Sequence, residues 1–476
     1  MKLRATLLAT CIAATLAAVA PAHSANLLEV YQKALQNDPL IREAEANRLA
    51  TLENKPQARA GLLPSLTATG DMSRVDSLVQ RSQLTPVLID PAGNPEDPNN
   101  VRYIPVTQTN VTDPLKSRSW SVRLTQSVFR WDRWVTLQRA EKQVAQAEIE
   151  FKAAQQDLLA RTARRYFDVL AAEDTLEAAE ATLEAFTRQL EQADKRFEVG
   201  LIAITDVQEA RAARDQAAAA VIAAKRSLST SREFLRELTG DAFDDLAKPS
   251  ADMPLRDPNP ASEEEWVKAA LDQNLNVLAA RLQTDIAKDD IRVARSNHLP
   301  TLDLYAQRSR DKDEGDVEVT RGDKRDESIA DGRTNSDTIG IQLNFPIYSG
   351  GETQSQVRQR VYLHRAARER SERTARETER LARDAYLGVL SEISRVQALR
   401  QARESSQTAL QATEAGFEVG TRTTVDVLES RRNLFDAQTT YARSRYDYII
   451  NLLNLKIATG NLAESDLQEV NGWLTE

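Results

Sequence analysis

The chain has 476 residues, and its 62 basic and 71 acidic side chains give a formal net charge of −9. This balance disfavours nucleic acid as a partner, because domains that bind nucleic acid are typically basic. Glycine and proline are scarce at 16 each, and the abundance of Ala, Gln, Arg and Glu is typical of long, solvated helices. No Gly-rich phosphate loop, Ser/His/Asp arrangement or metal-ligand spacing occurs, so the sequence predicts neither an enzyme nor a cofactor site.

The chain opens with the pattern of a secretory signal peptide, which we place at residues 1–24, with cleavage after Ser24 or Ala25. A charged start precedes an apolar core, and a small-x-small cleavage site ends it. The only cysteine, Cys11, lies in that core, so the mature chain is predicted to lack disulfides and thiolate chemistry. No later stretch approaches the ~20 apolar residues of a membrane-spanning helix. The sequence therefore predicts an exported protein that would enter a membrane only as β-strands.

The first half of the mature chain, residues 25–250, begins with helix and then alternates apolar and polar side chains in two stretches, which predicts strands with two unlike faces. Between these strands, residues 77–117 are rich in Pro, Asn, Asp and Thr and are predicted to form an exposed loop. Residues 131–196 contain no Pro or Gly, which predicts about 100 Å of helix at ~1.5 Å per residue. The predicted elements are a helix at 28–60, strands at 62–73 and 118–130, a long helix at 131–196 and a return helix at 205–239.

The second half, residues 251–460, repeats this plan. A highly charged segment at 311–335 is predicted to form the loop between its two strands. The residues that remain, 461–476, are predicted to form a peripheral C-terminal appendage. The predicted elements are a helix at 263–297, strands at 299–309 and 337–348, a long helix at 352–415 and a return helix at 425–459.

The two halves share an internal repeat. Phe197-Glu198-Val199-Gly200 recurs as Phe417-Glu418-Val419-Gly420, and Thr239-Gly240 recurs as Thr459-Gly460, both shifted by 220 residues. The segment Leu63-Pro64-x-Leu66 recurs as Leu299-Pro300-x-Leu302, shifted by 236. Each copy is expected to hold one structural unit, and the two units are expected to pack about a pseudo-two-fold axis.

The four predicted strands cannot close a barrel alone, and open sheet edges cannot lie in lipid. Three chains would supply 12 strands, an even number within the range of outer-membrane barrels. Aromatic residues cluster at both strand-to-helix junctions and predict a girdle at the lipid interface. They are Phe129, Trp131, Trp134, Phe345 and Tyr348. The long helices would leave the membrane on that side and form a tube.

The two Val-Gly turns followed by Asp-Val, the paired Leu-Pro-x-Leu segments and the closing Thr-Gly pairs resemble the TolC family of outer-membrane channel proteins. The resemblance covers essentially the whole mature chain. It implies a mainly α fold in which a homotrimer forms a 12-strand outer-membrane β-barrel continuous with a 12-helix periplasmic coiled-coil tunnel. It also implies an exit duct for tripartite drug-efflux pumps and type I protein secretion. Its partners would be a periplasmic adaptor protein, an inner-membrane transporter of RND or ABC type, and outer-membrane lipid.

Residues at the far ends of the long helices are the candidate functional residues. Gly200 and Gly420 allow the positive φ of a tight turn, and these exposed repeated turns are candidates for adaptor docking. Asp206, Asp426 and Glu429 open the return helices. One interpretation is that they stabilise the helix N-termini; the other is that Asp426 and Glu429, which share a helix face, form rings of carboxylates in a trimer.

The resemblance implies the second interpretation, with Asp426 and Glu429 as constricting, cation-attracting rings. It also implies a gate latch in which Arg422 bonds to Asp206 and Thr205 of a neighbouring helix pair. One position departs from the family pattern: the latch tyrosine is replaced by Phe417 in this chain. The hydroxyl bond is therefore lost, and the latch is expected to be weaker or rebuilt.

The main alternative from another class is a structural coiled-coil stalk or adhesin without a pore. A stalk explains the long helices. It does not explain amphipathic strands inserted as pairs at matching places in both repeats.

Overall fold

The computed structural model describes residues 24–250, 253–321 and 324–475. The expected signal peptide at 1–24 falls outside these ranges apart from its last residue. No helix in them is both long and apolar enough to cross a membrane.

Helices form most of the described chain. They are α1 (Leu27–Asn37), α2 (Pro39–Leu52), α3 (Asn54–Ala60), α4 (Trp131–Glu198), α5 (Ile204–Thr239), α6 (Glu263–Gln273), α7 (Leu275–Ser296), α8 (Glu352–Glu418), α9 (Thr424–Ala458) and α10 (Glu464–Asn471). The strands are β1 (Ser65–Leu88), β2 (Val101–Phe129), β3 (Lys248–Pro249), β4 (Thr301–Arg321), β5 (Lys324–Asn344) and β6 (Leu474–Thr475).

The first predicted helix of each half is broken in the structure. The span expected at 28–60 divides at Asp38, whose extended backbone caps α1 because the following Pro39 disfavours the α region at the residue before it. The span expected at 263–297 divides at Asn274, where the backbone again turns extended. The Asn274 side chain offsets the break, since its carbonyl oxygen accepts from the backbone N–H groups of Asn276 and Val277 at 3.0 and 3.2 Å.

The loops predicted at 77–117 and 311–335 are wrong, because the strands continue through most of both segments. β1 and β2 pair in antiparallel register from Ser65↔Thr125 out to Leu88↔Val101, and β4 and β5 pair out to Arg321↔Lys324. A hairpin ladder is built from backbone N–H and C=O groups, so it can extend through residues of any polarity. Polar composition therefore did not mark a loop here. The first hairpin turns only near residues 89–100, through Asx turns at Asp90, Asn94 and Asp97.

The four long strands form one sheet in the order β1-β2-β4-β5, which leaves β1 and β5 at its edges. Ladder pairing places alternate residues on two unlike faces. The apolar face carries Leu66, Met72, Trp120, Leu124, Leu304, Ile339, Ile341 and Leu343. The polar face carries Thr67, Thr69, Ser119, Ser121, Gln307, Ser309, Thr338 and Gln342.

The predicted peripheral appendage at 461–476 is wrong for its described residues, 461–475, because they pack into the core. Leu467 and Val470 of α10 are fully buried in the main hydrophobic cluster. β6 pairs with β3, and the Trp473 carbonyl accepts from the Ser250 N–H at 2.8 Å. Leu467 and Val470 are three residues apart and share one face of this short helix, which explains why that face is buried.

The chain groups into two compact units. Within the described residues, the first comprises 24–52, 142–250, 253–286 and 364–475, and the second comprises 53–141, 287–321 and 324–363. These units do not coincide with the predicted halves 25–250 and 251–460, because strands from both repeats share the sheet of the second unit.

The first unit holds the main hydrophobic core, which draws on both repeats. Tyr166 and Phe167 of α4 meet edge to face with ring centroids 5.4 Å apart, and Phe167 stacks on Tyr446 of α9 at 5.7 Å. The Tyr446 hydroxyl donates to Asp174 at 2.5 Å. Burial and the neighbouring Asp174 carboxylate raise the pKa of Tyr446 well above its usual range, so this hydroxyl remains a donor.

Candidate gate site at the helix tips

The turn from α4 to α5 is a Schellman motif built on Gly200. The Leu201 N–H bonds to the Arg196 carbonyl at 2.9 Å, and the Gly200 N–H bonds to the Phe197 carbonyl at 2.8 Å. This pattern requires a left-handed residue, and Gly200 has φ +76°. No atom lies within 4 Å of a Cβ built at this position, so backbone conformation rather than space favours glycine.

The turn from α8 to α9 repeats this geometry. The Thr421 N–H bonds to the Gly416 carbonyl at 2.8 Å, and the Gly420 N–H bonds to the Phe417 carbonyl at 3.1 Å. Gly420 has φ +78°. The positive φ expected from the sequence for both repeated glycines is therefore present. Val199 and Val419 beside them are about 70% exposed or more, so each tip carries an apolar side chain at its surface.

Asp426 closes a complete capping box at the start of α9. Its carboxylate accepts from the Thr423 N–H at 2.8 Å and from the Thr423 hydroxyl at 3.0 Å. The Asp426 N–H in turn donates to the Thr423 hydroxyl at 3.2 Å. The bond from the Thr423 N–H lowers the pKa of Asp426 most. The bond from the Thr423 hydroxyl and the nearby Arg422 charge lower it further. The capping interpretation of this residue thus has direct geometric support within one chain.

Asp206 holds the equivalent position in α5 with a simpler cap. Its carboxylate accepts from the Ala203 N–H at 3.2 Å. Ala203 stands where the second copy has Thr423, so the reciprocal side-chain bond cannot form. The Asp206 carboxylate consequently keeps more of its accepting capacity than Asp426 does.

The side chain of Arg422 lies over the last turn of α8. A Cβ built at Gly416 would come within 2.8 Å of the Arg422 Cγ, so the glycine makes room for the arginine. The Arg422 N–H bonds to the Gly416 carbonyl at 3.2 Å. Within the part of this one chain that the structure describes, the Arg422 guanidinium makes no ion pair with Asp206. The predicted latch is to a neighbouring helix pair and stays a prediction.

Phe417 has a partner that the sequence did not indicate. The Arg196 guanidinium carbon lies 4.6 Å from the centroid of the Phe417 ring, which is a cation–π contact between the ends of α4 and α8. Arg196 and Gly416 occupy equivalent positions in the two repeats, 220 residues apart. At this position the first copy thus supplies the cation of Arg196, whereas the second has Gly416, which leaves room for a neighbouring side chain.

Thr205 and Glu429 are exposed, and their side chains make no hydrogen bond with the described residues. Further from the tip, Arg431 of α9 forms an ion pair with Glu414 of α8, and Ser430 bonds to Thr413 at 3.2 Å. These contacts join the outgoing and return helices of the second copy. Arg431 occupies the position equivalent to Arg211 in the first copy. This recurrence was the only sign in the sequence that Arg431 makes a contact here, and it was a weak one.

Within the described ranges no group of three or more His, Cys, Asp or Glu side chains is placed to hold a metal ion. The described tip geometry consists of capped helix starts and close turns.

The sequence profile of the outer membrane efflux protein family matches residues 30–241 and 266–461. The chain belongs to this family. As an outer membrane efflux protein, it resides in the outer membrane and serves as an exit duct for efflux and type I secretion.

Individual relatives agree with this assignment. Outer membrane protein TolC of Vibrio cholerae is 36% identical over 456 residues, which cover 94% of each chain. The TolC protein of Escherichia coli K12 is 35% identical over 451 residues, covering 95% of this chain and 85% of the relative. The alkaline protease secretion protein AprF of Pseudomonas aeruginosa is 26% identical over 457 residues, covering 94% and 87%.

Solved structures show the same fold at lower identity. The CmeC outer membrane channel of Campylobacter jejuni superposes with a TM-score of 0.70 at 16% identity, covering 94% of this chain and 90% of that one. The outer membrane protein VceC of Vibrio cholerae superposes with a TM-score of 0.69 at 17% identity, covering 91% and 96%.

Proposed function

We propose that three copies of this outer membrane efflux protein pool their sheets into one 12-strand barrel, continuous with a 12-helix periplasmic tunnel. A periplasmic adaptor protein and an inner-membrane transporter of RND or ABC type would open this duct at the helix tips. Drugs and secreted proteins would then leave the cell through one passive conduit.

The observation that carries this proposal is the sheet with two open edges. β1 and β5 present unpaired backbone groups along 24 and 21 residues. Unpaired backbone groups in a bilayer are costly, so spanning sheets close on themselves. Four strands are too few for closure, whereas three sheets joined edge to edge give 12 strands, an even number that lies within the range of outer-membrane barrels.

The two faces of the sheet support the same arrangement. Leu66, Leu124 and Ile339 project from the apolar face and are well exposed in the single chain. Lipid would cover that face, while the polar face with Thr67, Gln307 and its neighbours would line water. A pore-free stalk, the alternative from the sequence, gives no reason for a sheet with one apolar and one polar face.

The tips would supply the gate. The latch among Arg422, Asp206 and Thr205 and the rings of Asp426 and Glu429 both require residues from several helix pairs. The proposal is supported by the positions of these residues: all five lie within nine residues of the turns at Gly200 and Gly420.

Cysteine cross-linking tests the closed trimer, because Cys11 is the only cysteine and lies in the signal peptide. Cysteines would be placed in pairs on the edge strands, with Thr67 or Thr69 of β1 against Thr338 or Ser336 of β5. Within one chain two whole strands, β2 and β4, separate these edges. We expect the best pair to give an SDS-resistant ladder that ends at three chains. A folded monomer that never cross-links, or a ladder that continues beyond three, would contradict the proposal.

A further inference from the structure

The apolar face of the sheet ends in a group of basic residues on the side away from the helices. We call it the basic belt. It consists of Arg74, Lys116, Arg118, Arg310, Lys312 and Arg333. All six share the face that carries Leu66 and Ile339, because each lies an even number of residues from the apolar positions of its own strand.

The belt places like charges directly opposite one another. Arg74 pairs with Lys116 across β1 and β2. Arg118 pairs with Lys312, which pairs with Arg333, so three cations stand in one row across β2, β4 and β5. Neighbouring strands are about 4.8 Å apart, and like charges directly opposite destabilise a sheet.

Acidic residues on the same face neutralise the belt only in part. Glu314 forms an ion pair with Lys312, and Asp331 lies opposite Glu314. Asp337 pairs at 3.6 Å with Arg308, which lies outside the belt. Among the side chains that are described, Arg74, Lys116, Arg118, Arg310 and Arg333 make no ion pair.

The polar face carries acidic residues at the same position along the strands as the belt. Asp71, Asp311 and Asp313 lie in ladder rows next to those of the belt but point to the other side of the sheet. The described part of that face holds no Lys or Arg there. These three acidic side chains lie on the opposite side of the sheet from the belt, so they do not relieve repulsion within it.

We propose that the basic belt binds the phosphate groups of the glycolipid that forms the outer leaflet of the outer membrane. This inference rests on the proposed function, which puts the apolar face in lipid and the helix-distal end toward the cell exterior. The belt overlaps the helix-distal end of the apolar band, because Arg118 lies opposite Met72 and Arg310 lies opposite Trp120. Leu66 and Met72 are about 20 Å apart along β1 at ~3.3 Å per residue. Headgroup phosphates lie at that boundary, and arginine binds them bidentately.

The test uses full-length trimer in mild detergent, stripped of lipid and titrated with bis-phosphorylated lipid A. The same glycolipid without phosphates and inorganic phosphate are the other two probes. Bound lipid would be counted by native mass spectrometry. The variant R118Q/R310Q/R333Q removes three belt charges. The control R358Q/R370Q/R373Q removes three exposed charges from α8, and R118K/R310K/R333K keeps the belt charges.

We expect the wild type to prefer the phosphorylated glycolipid, with inorganic phosphate competing poorly. The glutamine variant should bind on the order of 100-fold more weakly, since each basic side chain near an anionic surface contributes on the order of fivefold. The control should match the wild type, and the lysine variant should retain most of the binding. Unchanged binding by the glutamine variant, or equal binding of the dephosphorylated lipid, would overturn the proposal.

Two further readouts separate this inference from the proposed function. Full competition by inorganic phosphate would assign the belt to soluble anions and also overturn it. Circular dichroism and single-channel conductance would be recorded for each variant. If the glutamine variant folds, conducts and binds lipid as the wild type does, only the belt proposal is refuted. If the wild type does not conduct, the channel itself is refuted.

Discussion

The Arg196 guanidinium lies 4.6 Å from the ring centroid of Phe417 and joins the ends of the two long helices, α4 and α8. Phe417 stands where the resemblance places a latch tyrosine. It lacks the tyrosine hydroxyl, but its ring still contacts Arg196. An exposed cation–π contact contributes about 0.5–1 kcal/mol. Three copies in a trimer would act on one closed tip.

Loss of this contact should loosen the tip. We expect Arg196→Gln and Phe417→Leu each to raise resting conductance and vancomycin susceptibility, and the double variant to be no worse than the stronger single one, because both remove the same contact. Phe197→Leu is the matched control, since Phe197 is the repeat equivalent of Phe417. The contact would be irrelevant to gating if the control were equally leaky or if the two changes added fully.

The predicted latch can be separated from helix capping at Asp206. Asp206→Asn keeps an acceptor for the Ala203 N–H but removes the charge that Arg422 would need, while Asp206→Ala removes both. We expect Asp206→Asn and Arg422→Ala to raise resting conductance. Each exposed ion pair contributes only ~0–1 kcal/mol, but three act together. If Asp206→Ala alone opened the tip, the residue would serve as a cap and not as a latch.

The carboxylate rings predict how ions pass the tip. If Asp426 and Glu429 of three chains converge, the channel should prefer cations, and a trivalent cation added from the periplasmic side should block it, because hard cations prefer oxygen ligands. Asp426→Asn should relieve most of the block, and adding Glu429→Gln should abolish the preference. Unchanged reversal potentials and unchanged block in the double variant would contradict the ring hypothesis.

The pH dependence of that block follows from the cap on Asp426. In one chain the cap lowers its pKa, so the carboxylate stays charged below the usual pKa of an aspartate, and its contribution to the fold is lost only as pH falls through that lowered value. Crowding of like charges would act in the opposite direction. Block measured as pH is lowered should therefore persist into the acid range if capping dominates, and fade earlier if crowding does.

Glycines with the same φ should differ in their tolerance of alanine. Gly460 has φ +73°, and a Cβ there would lie 2.5 Å from the Gln273 carbonyl oxygen, whereas Gly420 has open space. Gly420→Ala should cost about 1–2 kcal/mol for the left-handed backbone alone. Gly460→Ala should cost clearly more, because backbone must move. Thermal loss of helix signal by circular dichroism would measure this, and equal midpoints would contradict it.

Local signals in the sequence were sufficient for the helix tips and for the existence of the strands. The repeated Val-Gly turns predicted positive φ at Gly200 and Gly420, because few other residues adopt it. Alternation predicted the strands, but polar composition misplaced their outer ends. Strand pairing outside an apolar environment is set by the partner strand and leaves little trace in composition.

Long-range contacts had no such signal. Nothing near Arg196 indicates that it meets Phe417, which lies 221 residues away in sequence. The buried tail was likewise missed, since Leu467 and Val470 belong to a helix of only 8 residues. Its few apolar side chains are buried because they pack against the β3 segment and the α1 helix, which are distant in sequence.

Single-channel recording from purified protein in a planar bilayer is the decisive experiment for the exit duct. Particles of three chains should give discrete, equal conductance steps, with cations preferred over anions. Larger steps should follow when the tip is loosened by Arg422→Ala. Folded, bilayer-inserted protein that produces no conductance in either form would contradict the claim that this chain forms an exit duct.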